Sequence, residues 1–220
     1  MAETREYVIR RAAGPVRLAC DHEAWTAADR LAIDRFPWYV SGNRQATDVA
    51  VLYDDRAVYA LFVCEDKHIN SVETRPNGNV YLDSCVEFFA QPDPDAHPEY
   101  FNFEANCCGT VHLGWCPDRH GRKLAGPEVH DLIRVKTSIA PPTRVESPND
   151  DGWWLAVELP FEALSRFGGF KVAPASGTRW RANFYRIGGR TDVQYGCWNR
   201  NDCEKPDYHQ SKYFGNVIFE

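Results

Sequence analysis

Short runs of β-branched and aromatic residues, broken about every ten positions by Gly, Pro, Asn and Asp, commit this chain to sheet. Thr47-Asp48-Val49-Ala50-Val51-Leu52-Tyr53 meets a turn at Asp54-Asp55-Arg56, and Ala57 to Cys64 returns as a hairpin arm. That arm is apolar on both faces, which places it in the middle of a sheet. Asp83 to Ala90 gives another strand, stopped where Gln91-Pro92-Asp93-Pro94 removes ladder donors. Tyr100 to Asn106 alternates and turns at Cys107-Cys108-Gly109 into a partner at Thr110 to Trp115. Further strands are expected near Leu132 to Ile139, Trp153 to Leu159, Trp180 to Ile187, Val193 to Trp198 and Asn216 to Phe219. Phe161 to Phe167 has helical spacing and ends at Gly168-Gly169, the one short helix. The pattern predicts an all-β fold, an antiparallel β-sandwich of jelly-roll or immunoglobulin-like kind. Neither repeat nor heptad nor linker divides the 220 residues, so 1–220 is read as a single domain.

Charge narrows the partners. With 25 Lys and Arg against 31 Asp and Glu, the net charge of −6 argues against nucleic acid. No apolar run approaches the ~18–20 residues of a membrane span. Met1-Ala2-Glu3-Thr4-Arg5-Glu6 is too charged for a secretory signal. The expectation is a cytoplasmic protein as written, or a secreted one if a leader precedes it in nature.

Eight cysteines are read first as free thiols, with Cys64 and Cys85 serving as small hydrophobes inside strands. Cys107 and Cys108, being adjacent, should point to opposite faces of a strand. Cys197 and Cys203 flank a loop and are the pair best placed for a bridge, if one forms. The spacing offers no Cys-x-x-Cys pair for zinc. Asp54-Asp55, Asp93 with Asp95, and Asn149-Asp150-Asp151 are oxygen-rich turns without the spaced ligands of an EF-hand. No cofactor is expected, with a structural calcium ion the one alternative at those turns.

Three chemistries remain. Glu87, Glu104 and Glu158 lie in strand patterns, so a carboxyl pair for glycoside hydrolysis is geometrically open. A nucleophile elbow and a phosphate loop are both missing. A sandwich that only docks another protein is a further reading. Binding of a sugar explains most. Sugar rings present apolar C–H faces and a rim of hydroxyls, so their sites combine flat aromatic surfaces with planar polar groups. The 7 Trp, 10 Tyr and 12 Phe supply aromatics in quantity. Two clusters mix them with polar groups: Tyr81 to Glu87, and Gln194 to Arg200, where Trp198 enters a polar loop instead of another apolar run.

At these residues the chain resembles the family 9 carbohydrate-binding modules. The resemblance rests on Asp83-Ser84-Cys85-Val86-Glu87-Phe88-Phe89, on Trp153 to Phe161, and on the tail from Tyr195 through Trp198 to Phe219. Trp25, Phe36-Pro37-Trp38 and the hairpin at Val51 to Asp55 fall in the family's order, so nearly the whole chain is covered. The resemblance implies a β-sandwich that grips a mono- or oligosaccharide, such as the end of a β-glucan or xylan, between two rings without cleaving it. It implies that Trp198 forms one wall, that Tyr81 forms a smaller opposing wall, and that Glu87 binds sugar hydroxyls. The family's arginine falls at Asn102 and its glutamine at Tyr185. Arg186, one position along, replaces the guanidinium only if it faces the same side as Glu87.

Overall fold

A computed structural model describes residues 4–140 and 142–220. Met1-Ala2-Glu3, read above for a leader, lie outside the described residues. The strands are β1 (Glu6–Arg11), β2 (Arg30–Ala32), β3 (Thr47–Tyr53), β4 (Ala57–Glu65), β5 (Cys85–Gln91), β6 (Tyr100–Asn106), β7 (Val111–Cys116) and β8 (Lys123–Leu124). Helix α1 (Pro127–His130) then leads to β9 (Arg134–Thr137) and β10 (Gly152–Pro160). Helix α2 (Phe161–Gly168) precedes β11 (Arg179–Ile187), β12 (Tyr195–Cys197) and β13 (Gly215–Phe219).

Two curled sheets face each other as a β-sandwich. The first runs β8-β7-β6-β5-β11-β13-β1, with β12 also on β11, and the second runs β1-β3-β4-β10-β9, with β2 on β3. Strand β1 belongs to both: Glu6 to Ile9 pair with β13, then Arg10 and Arg11 pair with β3. Both pairings are parallel. The sheet is therefore mixed, which corrects the purely antiparallel expectation. A strand that opens the chain and is joined by long connections to β3 and β13 has no hairpin to force antiparallel order. The single-helix expectation is also corrected. The second helix, α1, is one turn started by Pro127 in the first helical position, where its missing N–H is no loss.

Alternation builds the interior. Val86, Phe88 and Ala90 of β5 and Phe184 of β11 face the second sheet, and Phe184 lies flat on Phe88 at 4.6 Å between centroids. Phe62 of β4 meets Phe184 from the other side at 6.4 Å. Every residue of β5 and of β6 is buried. The first sheet is thus covered on its outer face too, by the chain between β12 and β13, which brings Tyr208 and Phe214 against Phe89, Tyr100 and Tyr185.

One polar pair sits between the sheets. Arg186 is fully buried and its guanidinium binds the Asp66 carboxylate. Asp66 also accepts the His68 backbone N–H at 2.9 Å and the Trp153 indole N–H at 3.0 Å. The oxygen-rich turns use their acids locally: Asp54 accepts the N–H groups of Arg56 and Ala57, and Asp150 accepts those of Ile69 and Ser147. No helix among the described residues is long and apolar enough to cross a membrane.

Burial raises the Asp66 pKa, but Arg186 and the hydrogen bonds outweigh it and hold the carboxyl below its ordinary value. Its stabilising contribution is accordingly present above about pH 4 and is lost as pH falls through the lower folded-state value. Asp66→Asn, which strands a buried guanidinium, is expected to reduce the free energy of unfolding by about 3–5 kcal/mol in urea titrations at pH 7. A loss below about 1 kcal/mol would show that solvent reaches the pair.

Candidate functional site

Strand register assembles a polar row on the outer face of the first sheet. Tyr185, Glu87, Glu104 and His112 stand directly opposite one another across β11, β5, β6 and β7. Directly opposed side chains on one face have Cβ atoms about 4.5–5.5 Å apart. Two carboxyls are therefore forced into each other's company, and both are buried.

Their surroundings differ. Glu104 accepts the Asn102 amide at 2.7 Å and lies 3.7 Å from the Arg122 guanidinium. Arg122 reaches it across Gly114, where a Cβ would come within 2.6 Å of the arginine stem and 2.3 Å of the Asn102 carbonyl oxygen. The Arg122 guanidinium also lies 3.0 Å from His112 Nε2. Arginine has no acceptor, so His112 Nε2 accepts and Nδ1 carries the proton toward the carbonyls of Asn77 and Gly78, at 3.1 and 3.2 Å. Glu87 has none of this support: no group among the described residues hydrogen-bonds its carboxyl. Burial first, then the neighbouring Glu104, pushes the Glu87 carboxyl well above the ordinary range, with Arg122 offsetting a part. Glu104 is raised by burial and brought back partway by the Asn102 hydrogen bond and the Arg122 charge. Ionisation of both carboxyls at once is thus disfavoured, and Glu87 is the member with less support for its charge.

Above these acids lies a cavity of about 290 Å³. Glu87, Glu104 and His112 contribute to its floor, and Tyr81, Tyr195, Tyr208, His209, Asp207, Arg119 and Arg122 to its walls. Tyr81, on the single turn Val80–Leu82, is 47% exposed at the rim. His209 pairs with the Tyr100 hydroxyl at 2.9 Å, and burial lowers its pKa to about 4, so it is neutral at pH 7. Asp207 accepts from Arg119 and from the His209 backbone.

The structure brings together two of the six residues singled out in the sequence, Tyr81 and Glu87. Asn102 is fully buried and supports the site from beneath by orienting Glu104, while its own oxygen accepts the Cys116 thiol at 3.1 Å. Tyr185 lies on the correct face but under Tyr208, whose ring stacks on it at 3.9 Å. Arg186 pairs in register with Val86, not Glu87, so it points to the interior and is held by Asp66. It does not reach the cavity; the guanidinium groups that line it are those of Arg119 and Arg122.

Trp198 is the main correction. It is 3% exposed and packs edge-on to Phe184 at 5.9 Å, between the sheets. Tyr195 and Cys197 share the outer face of β12 with Ile187 and Tyr185, so Trp198, an odd number of residues after Tyr195, goes to the inner one. Gly215 makes room for it, since a Cβ there would lie 2.5 Å from the indole. The polar loop that made Trp198 look like an edge residue is buried in part: Arg200, Asp202 and Lys205 are exposed, but Asn199 and Asn201 are buried and bond the backbone at Tyr213 and Asp207. Tyr195 is the cavity-facing ring of that segment. His112, Arg122, Asp207 and His209 carried no local sequence signal; Glu104 did, as a strand acid on the same parity as Asn102.

The family model for carbohydrate-binding family 9 matches residues 21–219. A Bacteroides uniformis crystal structure, provisionally described as that of a carbohydrate-binding protein, superposes with a TM-score of 0.86 at 21% identity, covering 99% of this chain and 100% of that one. A carbohydrate-binding module of family 9 from Caldicellulosiruptor kristjanssonii, solved with cellotriose, gives a TM-score of 0.68 at 13% identity over 98% of this chain and 94% of that one. The glucose complex of a family 9 module from the same organism gives 0.65 at 14% identity, over 97% and 95%. No curated protein matches the sequence.

The Glu87 carboxyl has a folded-state pKa above its unfolded value of about 4.3, so its stabilising contribution is complete below that pH and is lost as pH rises through the folded value. Glu87→Gln removes the ionisation. The variant is expected to gain on the parent between pH 5 and pH 8, reaching about 1 kcal/mol or more in chemical denaturation at the upper end. A stability difference that does not change with pH would show that Glu87 titrates normally.

Proposed function

Because the chain belongs to carbohydrate-binding family 9, we propose that its cavity holds a mono- or short oligosaccharide without transforming it. The observation that carries the reading is the Glu87 carboxyl, which opens onto the floor of the cavity beside Glu104 and takes no hydrogen bond from any described residue. Its oxygens are therefore available to the hydroxyls of a ligand in that cavity. Glu87 and Glu104, the second held by Asn102, lie side by side, so adjacent hydroxyls of one sugar ring find adjacent partners. Tyr81 and Tyr195 offer the apolar surfaces for C–H faces, with Tyr195 in the role first given to Trp198. The volume of about 290 Å³ is at the small end of ligand sites, which suits a chain end better than a long polymer. The glucose and cellotriose complexes of the two family 9 structures make gluco-configured ligands the first to test.

The register pairing of Glu87 with Glu104 supports a second reading. Two adjacent carboxyls in unlike surroundings, one supported by Asn102 and Arg122 and one not, are also what glycoside hydrolysis employs. Turnover of aryl glycosides that disappears in both Glu87→Gln and Glu104→Gln would replace binding with catalysis.

Isothermal titration against glucose, cello-, xylo- and manno-oligosaccharides is expected to show saturable binding. Glu87→Ala should weaken it at least about tenfold and Tyr81→Ala by about three- to tenfold. Trp198→Phe should lower stability and leave affinity within about twofold, since that ring packs in the interior. Absence of heat across the whole panel, or full affinity in Glu87→Ala, would refute the assignment.

A further inference from the structure

The turn between β6 and β7 holds two adjacent thiols that the cavity does not use. Strand alternation would send Cys107 and Cys108 to opposite faces, but the turn does not. The Asn106 carbonyl accepts the Gly109 N–H at 2.8 Å, and Gly109 takes a φ of +83°, so the chain reverses and both thiols pack against the same interior cluster. Cys107 Sγ lies 3.8 Å from the Asn70 carbonyl oxygen, and Cys108 Sγ lies 3.9 Å from the Thr143 hydroxyl. Those two segments touch, because the Ser71 N–H donates to the Thr143 carbonyl at 2.6 Å. Both sulfurs therefore abut one crossing of the chain. Exposure separates them: Cys107 is buried, and Cys108 is partly open to solvent.

We propose that Cys107 and Cys108 form a peroxide-oxidised dithiol that closes reversibly to a vicinal disulfide. Cys108 is the attacking sulfur. Its thiolate forms an S–O bond with a hydroperoxide, the O–O bond breaks, and the departing oxygen takes a proton to leave as water or an alcohol. The resulting sulfenic acid is attacked by Cys107. An S–S bond forms, the S–O bond breaks, and hydroxide leaves as water with the Cys107 proton. Two electrons pass from the two sulfurs to the peroxide.

The division of roles follows from the surroundings. The Cys107 thiol beside it, with Ser71 and Thr143, brings the Cys108 pKa down to about 5 against the effect of burial. The same neighbour relation and burial push Cys107 upward, so it remains a thiol until it resolves. Low pKa, access and an adjacent resolving thiol are what select a cysteine for oxidation. The other partly exposed thiols, Cys20 and Cys203, are both raised by burial. Reversibility follows from geometry. Neighbouring Cα atoms are about 3.8 Å apart, below the roughly 4.4–6.8 Å of relaxed disulfides, so the bond is strained and easily reduced.

The reduced full chain, treated with one to a few equivalents of hydrogen peroxide, tests this. Intact mass should fall by about 2 Da, and peptide mapping should place both lost hydrogens at 107–108. Accessible plus denatured thiol titration should fall from eight to six and return to eight with dithiothreitol. In Cys107→Ser, a dimedone adduct should accumulate on Cys108, and in Cys108→Ser the fast oxidation should slow at least about tenfold. Because Cys107 lies in the interior, the Cys20→Ser/Cys203→Ser double variant provides a second route, and its oxidation should be unchanged. First oxidation at Cys20 or Cys203, disulfide-linked dimers, or a stable gain of oxygen at Cys108 in the parent chain would overturn the proposal.

Discussion

The stack of Tyr208 on Tyr185 is the contact on which the cavity depends. The first sheet is apolar on both faces along much of β5, β6 and β11, and one face is already dry against the second sheet. The other must be covered by chain, and the segment between β12 and β13 does this. Tyr208 pins it: the rings are 3.9 Å apart and nearly parallel, the Tyr185 hydroxyl donates to the Tyr208 carbonyl, and the Tyr208 hydroxyl donates to Gly196. Phe214 closes the far end against Tyr100. The cover stops short of Glu87 and Glu104, and the space it leaves is the cavity.

Two buried charge systems lie on opposite sides of the same sheet and are built differently. Between the sheets, Arg186 and Asp66 neutralise each other, and Asp66 accepts further hydrogen bonds from His68 and Trp153, while Arg186 Nε has no partner among the described residues. Toward the cavity, two acids share a single nearby guanidinium, that of Arg122, and Glu87 is left over. The ion pair fixes the packing of the sheets, since removing either partner strands a charge. On the cavity side, a carboxyl without such a partner is costly to ionise, so stability there falls as pH rises. Arg186 and Glu87 are neighbours across β11 and β5, yet only one of them is available for recognition.

The fold was largely legible because strand alternation and turn chemistry are local. Tyr100 to Asn106 reads as a strand from its own residues, and α2 is announced by Pro160 before it and Gly169 after it. Strand β1 escaped, since Glu6-Tyr7-Val8-Ile9-Arg10-Arg11 has polar ends and its role as the shared strand depends on partners more than two hundred residues away for β13. The site was legible only in part. Glu87 was found as a strand acid, and Glu104 was noticed without its partner. Their meeting is a matter of register, which no single strand encodes. Trp198 was misjudged because its polar neighbours looked solvated, although Asn199 and Asn201 spend their amides on buried backbone. Counting residues from Tyr195 would have turned the indole inward, given the pairing of β12 with β11.

Packing and cover set different demands on the two sides of the first sheet. The inner positions, Phe88, Phe184 and Trp198, answer to packing density. The outer positions answer only to what covers them or what they bind. Gly114 admits the stem of Arg122, and a loop thereby delivers a guanidinium to the cavity side of Glu104. That guanidinium offsets part of the cost of burying two opposed carboxyls. The residues that line the cavity thus follow from the register of four strands and the cover laid over them, and no single segment of the chain encodes them.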